Sequence, residues 1–343
     1  MKRNTILIFA LLIALLPMAL TAKPFGKVGT VGMQFLKLGV DARAIGMGEA
    51  YTAVTDDISS VYWNPAGLAP AFQNQVFFSH TNWPADIMQE YVAGTYTNGV
   101  STFAAYGTVL HMDKLKVTDE ETFGHTGEYF TNSSMALGGA YAQQFTNKFS
   151  AGIGVKYLRE NLYEYNVNSF AFDLGSMYNT GWNNIKIGMA LKNFGPEIRY
   201  RVDDDEDGSV DEDPYDLFDN DGDGLIDEDG PELEVKIPMH FSLGISGDIM
   251  RTDTSHWIAS LQLDNVIDRM ETWNLGTEYK MGNIFFRAGY QFGYDANGIS
   301  AGVGWQVPTS LGIFNIDYAY TDMGYLAENM LKSAHRVSLK MRY

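Results

Sequence analysis

The feature that most restricts the fold is a two-residue alternation of apolar with small or polar side chains, repeated from about residue 75 to the C-terminus. In the last segment Val337, Leu339, Met341 and Tyr343 alternate with Arg336, Ser338, Lys340 and Arg342. Ile299, Ala301, Val303, Trp305 and Val307 stand against Ser300, Gly302, Gly304 and Gln306. Trp273, Leu275, Tyr279 and Met281 stand against Asn274, Gly276, Glu278 and Lys280. Successive strand residues point to opposite faces, so each run writes a β-strand with one apolar face. A soluble sandwich turns that face onto a core. An outer-membrane barrel turns it outward to lipid and keeps the polar face for its lumen.

Three features favour the barrel. The runs reach the ~9–11 residues that a tilted membrane-spanning strand needs. Aromatics gather near strand ends, as in Phe286–Tyr290–Phe292–Tyr294 and Phe314–Tyr318–Tyr320, which suits interfacial girdles. The sequence closes within a strand on Tyr343, resembling the signal that the barrel-assembly machinery reads in bacterial outer-membrane proteins. Strand cores are expected at 75–83, 89–97, 100–111, 133–145, 148–159, 167–178, 184–194, 238–249, 255–264, 271–281, 284–294, 298–307, 311–320 and 333–343. Fourteen is the even number such a chain requires. Connections after even-numbered strands are tight, such as Asn98-Gly99 and Gly282-Asn283, while several after odd-numbered strands are long: 112–132, 195–237 and 321–332. Short periplasmic turns and long outer loops produce that parity. The expected fold is therefore all-β: an antiparallel transmembrane barrel over 73–343, preceded by a small hatch over 23–72.

Lys2 and Arg3 precede an apolar run from Ile6 to Leu16 and a small-residue exit at Ala22, the layout of a cleaved signal peptide over 1–22. The run is shorter than a spanning helix, and no cysteine offers a lipid anchor. Localisation in the bacterial outer membrane is the expectation. The absence of cysteine also excludes disulfides, Cys-ligated metals and a thiol nucleophile. A formal charge of −18 argues against nucleic acid as a partner. The 45% hydrophobic and 13% aromatic content argues against disorder. Six scattered histidines and the lack of a nucleophile elbow, zincin or phosphate-loop motif give no basis for an enzyme or an organic cofactor. Inward charges such as Lys156, Asp173, Lys186, Asp264, Glu278, Arg287 and Asp317 are expected to pair across the lumen.

Residues 39–69 read GVDARAIGMGEAYTAVTDDISSVYWNPAGLA and do not alternate. Asp56 or Asp57 can cap a short helix in which Ile58, Val61 and Tyr62 share a face, and Asn64-Pro65 ends it. Phe35-Leu36-Lys37, Asp41-Ala42-Arg43-Ala44, Gly46-Met47-Gly48-Glu49-Ala50, Asp56-Asp57 and Trp63-Asn64-Pro65-Ala66-Gly67-Leu68 follow in order. In these motifs the chain resembles the PorV/PorQ branch of the FadL-like outer-membrane proteins. That resemblance implies fourteen strands, an N-terminal hatch, and one of two activities. PorV-like proteins are carriers that hold the C-terminal domains of secreted clients for the type IX secretion system. FadL-like proteins pass fatty acids or other hydrophobic small molecules through the hatch. Asp56, Asp57, Trp63, Asn64 and Pro65 are the candidate hatch residues, as a helix stop seating the hatch on the wall or as ligand contacts.

Residues 203–234 hold seventeen acids and no Lys or Arg. Asp203, Asp205, Asp207, Gly208 and Asp211 recur sixteen residues later as Asp219, Asp221, Asp223, Gly224 and Asp227. Oxygen ligands at positions one, three, five and nine, with Gly at six, are the spacing of a Ca²⁺ loop. Pro214 and Gly230 stand where an EF-hand has its bidentate Glu, so this is not an EF-hand pair. The alternative is a solvated acidic loop between the seventh and eighth strands. Without these acids the chain carries 25 acids against 24 Lys and Arg.

Overall fold

The structure is a computed structural model that describes residues 29–70, 73–119, 124–162, 165–200, 233–294, 298–323 and 333–343. Both the expected signal peptide over 1–22 and nearly all of the acidic insertion lie outside these residues. Eighteen strands are described. Fourteen of them close into one antiparallel barrel in which every barrel strand pairs with the next and the last returns to the first.

In the first half these are β1 (Gln75–Trp83), β2 (Ile87–Thr97), β3 (Ser101–Met112), β6 (Ser133–Gln144), β7 (Phe149–Leu162), β8 (Tyr165–Asn179) and β9 (Lys186–Phe194). In the second half they are β12 (His240–Arg251), β13 (Ser255–Val266), β14 (Thr272–Met281), β15 (Ile284–Phe292), β16 (Ile299–Thr309), β17 (Gly312–Thr321) and β18 (Ala334–Arg342). Each expected core falls on one of them, with ends displaced by a few residues. Two further ribbons rise from the long connections and were not foreseen: β4 (Leu115–Asp119) with β5 (Gly124–Phe130), and β10 (Ile198–Tyr200) with β11 (Leu233–Val235). The second ribbon is the root of the acidic insertion.

The inverted polarity is plain along β18. Val337 and Leu339 are about half exposed, while Arg336, Ser338 and Lys340 between them are buried. Phe78, Val92, Phe103, Leu137, Phe170, Phe286, Trp305 and Tyr318 continue the outer apolar surface, as a wall solvated by lipid requires. Tyr294 departs from the girdle expected of it: it lies beyond β15, with the Arg269 guanidinium 4.5 Å above its ring. The tight turns share one end with the C-terminus, and this is the periplasmic end.

A fourteen-stranded barrel is too wide for its own wall side chains to fill. Here the inside is occupied by the N-terminal segment, described from residue 29. It begins at the extracellular rim, where Val31 bridges Lys236, and descends through a 3₁₀ turn (Gln34–Lys37), helix α1 (Ala42–Gly46), helix α2 (Ser60–Trp63) and a second 3₁₀ turn (Pro65–Leu68). It then turns into β1 at the periplasmic end. Ile45, Met47, Tyr51, Ile58, Trp63 and Leu68 are almost fully buried, and the apolar core forms where this segment meets inward wall residues such as Phe77, Tyr91 and Leu158.

Candidate functional site

The wall receives the N-terminal segment on inward glycines. A methyl group on Gly152 of β7 would stand 2.5 Å from the Pro65 carbonyl carbon, and one on Gly302 of β16 would stand 3.1 Å from Gly46 Cα. Gly175, Gly188, Gly276 and Gly289 meet Asn64, Thr52, Met47 and Gly48 in the same way. At most of these positions backbone rests on backbone, and at Gly175 the nearest atom is the Asn64 side-chain oxygen. Polar wall side chains complete the seat. Gln262 Oε1 accepts from the Tyr51 and Thr52 amides at 3.0 and 2.8 Å, and Ser246 Oγ donates to the Ala53 carbonyl.

An ionic cluster fastens the middle of the segment. Lys340 Nζ donates to Asp41 Oδ2 at 2.6 Å and to Asp57 Oδ2 at 2.7 Å. Arg43 reaches Glu278 of β14 through two nitrogens, each at 2.9 Å, and also contacts Asp56 and Asp57. Arg287 links Glu278 to Asp317 across β15 and β17. Burial opposes the Asp57 charge, but Lys340 and Arg43 outweigh it and hold that carboxyl well below the usual range; burial pushes Asp41 upward. The other expected lumen charges divide. Lys156 pairs with Asp173 at 2.8 Å. Asp264 takes His240, Ser242, Gln262 and Asn274 in place of a Lys or Arg. Lys186 forms no ion pair among the described residues.

Of the five candidate hatch residues, Asp57 caps the turn into α2, its Oδ1 accepting from the Ser59 amide at 2.9 Å. Asp56 is exposed and serves Arg43 instead. Trp63 donates from its indole to the Val40 carbonyl, inside the segment. Asn64 is fully buried: its Nδ2 donates to the Thr52 and Ser176 carbonyls and its Oδ1 accepts from the Ala66 amide. With Pro65 against Gly152 and Gly175, these residues end the helix and seat the segment. The eight aspartates of the repeated pattern lie outside the described residues. Asp41, Arg43 and Lys340 are the site residues that the sequence reading did not single out. Asp41 and Arg43 stood within the family motif, and Lys340 was visible only as an inward charge on the last strand.

At the extracellular rim the segment is clasped by the β10–β11 ribbon. The Met33 amide donates to Glu160 Oε2 at 3.2 Å, and the Tyr200 hydroxyl donates to the same oxygen. Gly32 lies so close to Tyr200, Ile198 and Val235 that any side chain there would collide with them.

Two sizeable cavities are among those lined by the described residues. The inner one, about 620 Å³, faces the periplasm and is lined by charged groups, among them Arg43, Asp57, Lys186, Glu278, Lys280 and Arg342. The outer one, about 320 Å³, lies between Lys37, Leu38, Gly39 and Glu49 of the segment and the outer ends of the wall.

A closed fourteen-stranded barrel with a lipid-facing apolar wall and a segment packed through its lumen is an outer-membrane protein of the FadL-like fold. The family described as type IX secretion system protein PorV matches residues 22–240, and the chain belongs to that family. No curated protein matches it. Solved structures show the same fold at low identity. The Ralstonia pickettii toluene transporter TbuX aligns with a TM-score of 0.56 at 11% identity, covering 89% of this chain and 98% of the other. The CymD monoaromatic hydrocarbon channel gives the same four values. A Pseudomonas aeruginosa FadL homologue aligns at 0.50 and 13%, with 89% and 98% covered.

Proposed function

We propose that the chain acts as a closed outer-membrane carrier in type IX secretion, holding exported proteins at its extracellular face. The family is that of a type IX secretion component. The observation that carries the reading is the fixed lumen: the N-terminal segment lies on glycine backbone and is held by Lys340 and Arg43. A wall that seals its own interior has its outer surface and loops left to work with. The candidate hatch residues are then structural, and the product of the fold is a stable platform in lipid.

The second reading, a channel for fatty acids or other hydrophobic small molecules, is favoured by the likeness of fold to TbuX and CymD. Against it stands the inner cavity, about half of whose lining residues are charged; hydrophobic ligands take sites lined mainly by apolar side chains. Purification from the native outer membrane separates the two. Secreted polypeptides co-purifying in stoichiometric amounts support the carrier. An acyl chain in the lumen, with uptake lost on deletion, would overturn it.

The acidic insertion fits this reading as a Ca²⁺-binding outer loop, with Asp203, Asp205, Asp207 and Asp211 as one ligand set and Asp219, Asp221, Asp223 and Asp227 as the other. Its supports are the registered spacing and its root in the extracellular β10–β11 ribbon. Residues 1–22 serve as the signal peptide that directs export, and the barrel-assembly machinery inserts the mature chain.

A further inference from the structure

The outer chamber holds charges that the protein does not itself neutralise. Arg336 of β18 is 1% exposed; its guanidinium lies 4.4 Å above the Trp83 ring, and Trp83 lines the chamber. Its Nε has no hydrogen-bond partner, and no carboxylate reaches it at ion-pair distance among the described residues. Arg269, on the chamber wall, lies over Tyr294 and donates to its hydroxyl at 3.1 Å, but its buried Nε also lacks an acceptor. The remaining polar groups there are already partnered: Lys37 with Asp268 at 2.9 Å, and the His240 imidazole with Asp264 at 2.9 Å.

Glu49 is the exception. It lines the same chamber, sits at a φ of 63° that a side chain adopts only at a cost, and makes no ion pair among the described residues. Burial pushes its carboxyl above the ordinary value despite the opposing pull of Arg336. One strained carboxylate thus shares the chamber wall with the Arg269 guanidinium, and Arg336 lies buried behind Trp83. Unpartnered polar atoms of Thr272, Gln291 and Thr321 lie in the same outer half of the wall. Buried cations and polar groups without acceptors are costly unless something supplies them. A guanidinium held flat on an aromatic ring keeps its edge free for an oxyanion.

We propose that the outer chamber binds a small carboxylate-bearing compound, recognised by Arg269, with Arg336 adding positive charge from behind Trp83. About 320 Å³ sets the size to that of an amino acid or a dipeptide, and Leu38, Trp83, Val266 and Met323 give the wall an apolar share beside its charges. The carboxylate can belong to a free small molecule or to the C-terminus of a polypeptide.

Calorimetry on the full-length protein in detergent tests this with N-acetylglycine as probe. N-acetylglycine is expected to bind at least tenfold more tightly than its uncharged amide. Arg269→Gln is expected to weaken it by tenfold or more. Glu49→Gln, which removes the competing carboxylate, is expected to tighten it severalfold, an effect that structural damage does not produce. Heat-shifted gel mobility confirms that each variant is folded, which guards against a failure of the buried Arg336→Gln variant to assemble. A decapeptide binding as its free acid but not as its C-terminal amide assigns the source to chain termini; N-acetylglycine binding without the peptide assigns it to free carboxylates. Equal binding of acid and amide, saturation by dodecanoate in place of N-acetylglycine, or indifference to both Arg269→Gln and Glu49→Gln overturns the proposal.

Discussion

Lys340 ties the last strand of the wall to the segment inside it. It is 1% exposed, lies on the last strand, and bridges two aspartates of the N-terminal segment. Removing one partner of a buried ion pair leaves an uncompensated charge and costs about 3–5 kcal/mol. Lys340→Met is therefore expected to lower the unfolding midpoint in detergent and to expose the segment around Arg43 to trypsin, both measurable without a functional assay. Lys340→Met combined with Asp41→Asn should recover part of the loss, because one stranded charge has gone. Sequence alone could place Lys340 on the inner face, since alternation is a local signal. It could not supply the partners, because Asp41 lies 299 positions away and only barrel closure brings the two together.

At the scale of elements, the decisive contact is that of the N-terminal segment with the wall. Gly276 of β14 faces Met47, and a Cβ there would stand 2.3 Å from the Met47 carbonyl oxygen. A large side chain cannot enter without lifting the segment off the strand, and such overpacking typically costs 1–3 kcal/mol. Gly276→Leu is accordingly expected to raise single-channel conductance in planar bilayers well above that of the parent protein, with the barrel still heat-modifiable. Unchanged conductance would mean that the seal does not depend on this seat. The strands were legible because period, length and turn chemistry are written locally. The ribbons β4–β5 and β10–β11 were not, because they sit in connections read only as long. The glycines were visible as small residues on the polar face, yet nothing local says that each awaits another backbone.

For the whole molecule, the charge is divided between two unlike parts. Outside residues 203–234 the chain is nearly neutral, and the excess acid falls in the stretch of sequence between the two strands of the extracellular ribbon. Metal bound there is expected to leave the barrel unchanged. Calorimetry should show Ca²⁺ uptake at ~10⁻⁴–10⁻³ M, abolished in Asp207→Ala/Asp223→Ala, while chelation leaves the unfolding midpoint of the barrel unmoved. Absence of any heat of binding would return the insertion to a solvated loop.

The closing seam of the barrel bears on how such a chain is made. β18 zips onto β1 from Gln75 opposite Arg342 to Asn82 opposite His335, and the inner face of that same strand offers Ser338 to the Ala42 amide and Lys340 to Asp41. Completing the circle and locking the lumen are therefore one event in biogenesis. A cylinder that shut around an empty interior would leave Lys340 to water in place of its two aspartates, so the filled barrel gains its ion pairs on the very strand that closes it. The seam is thus where wall and filling meet on one strand.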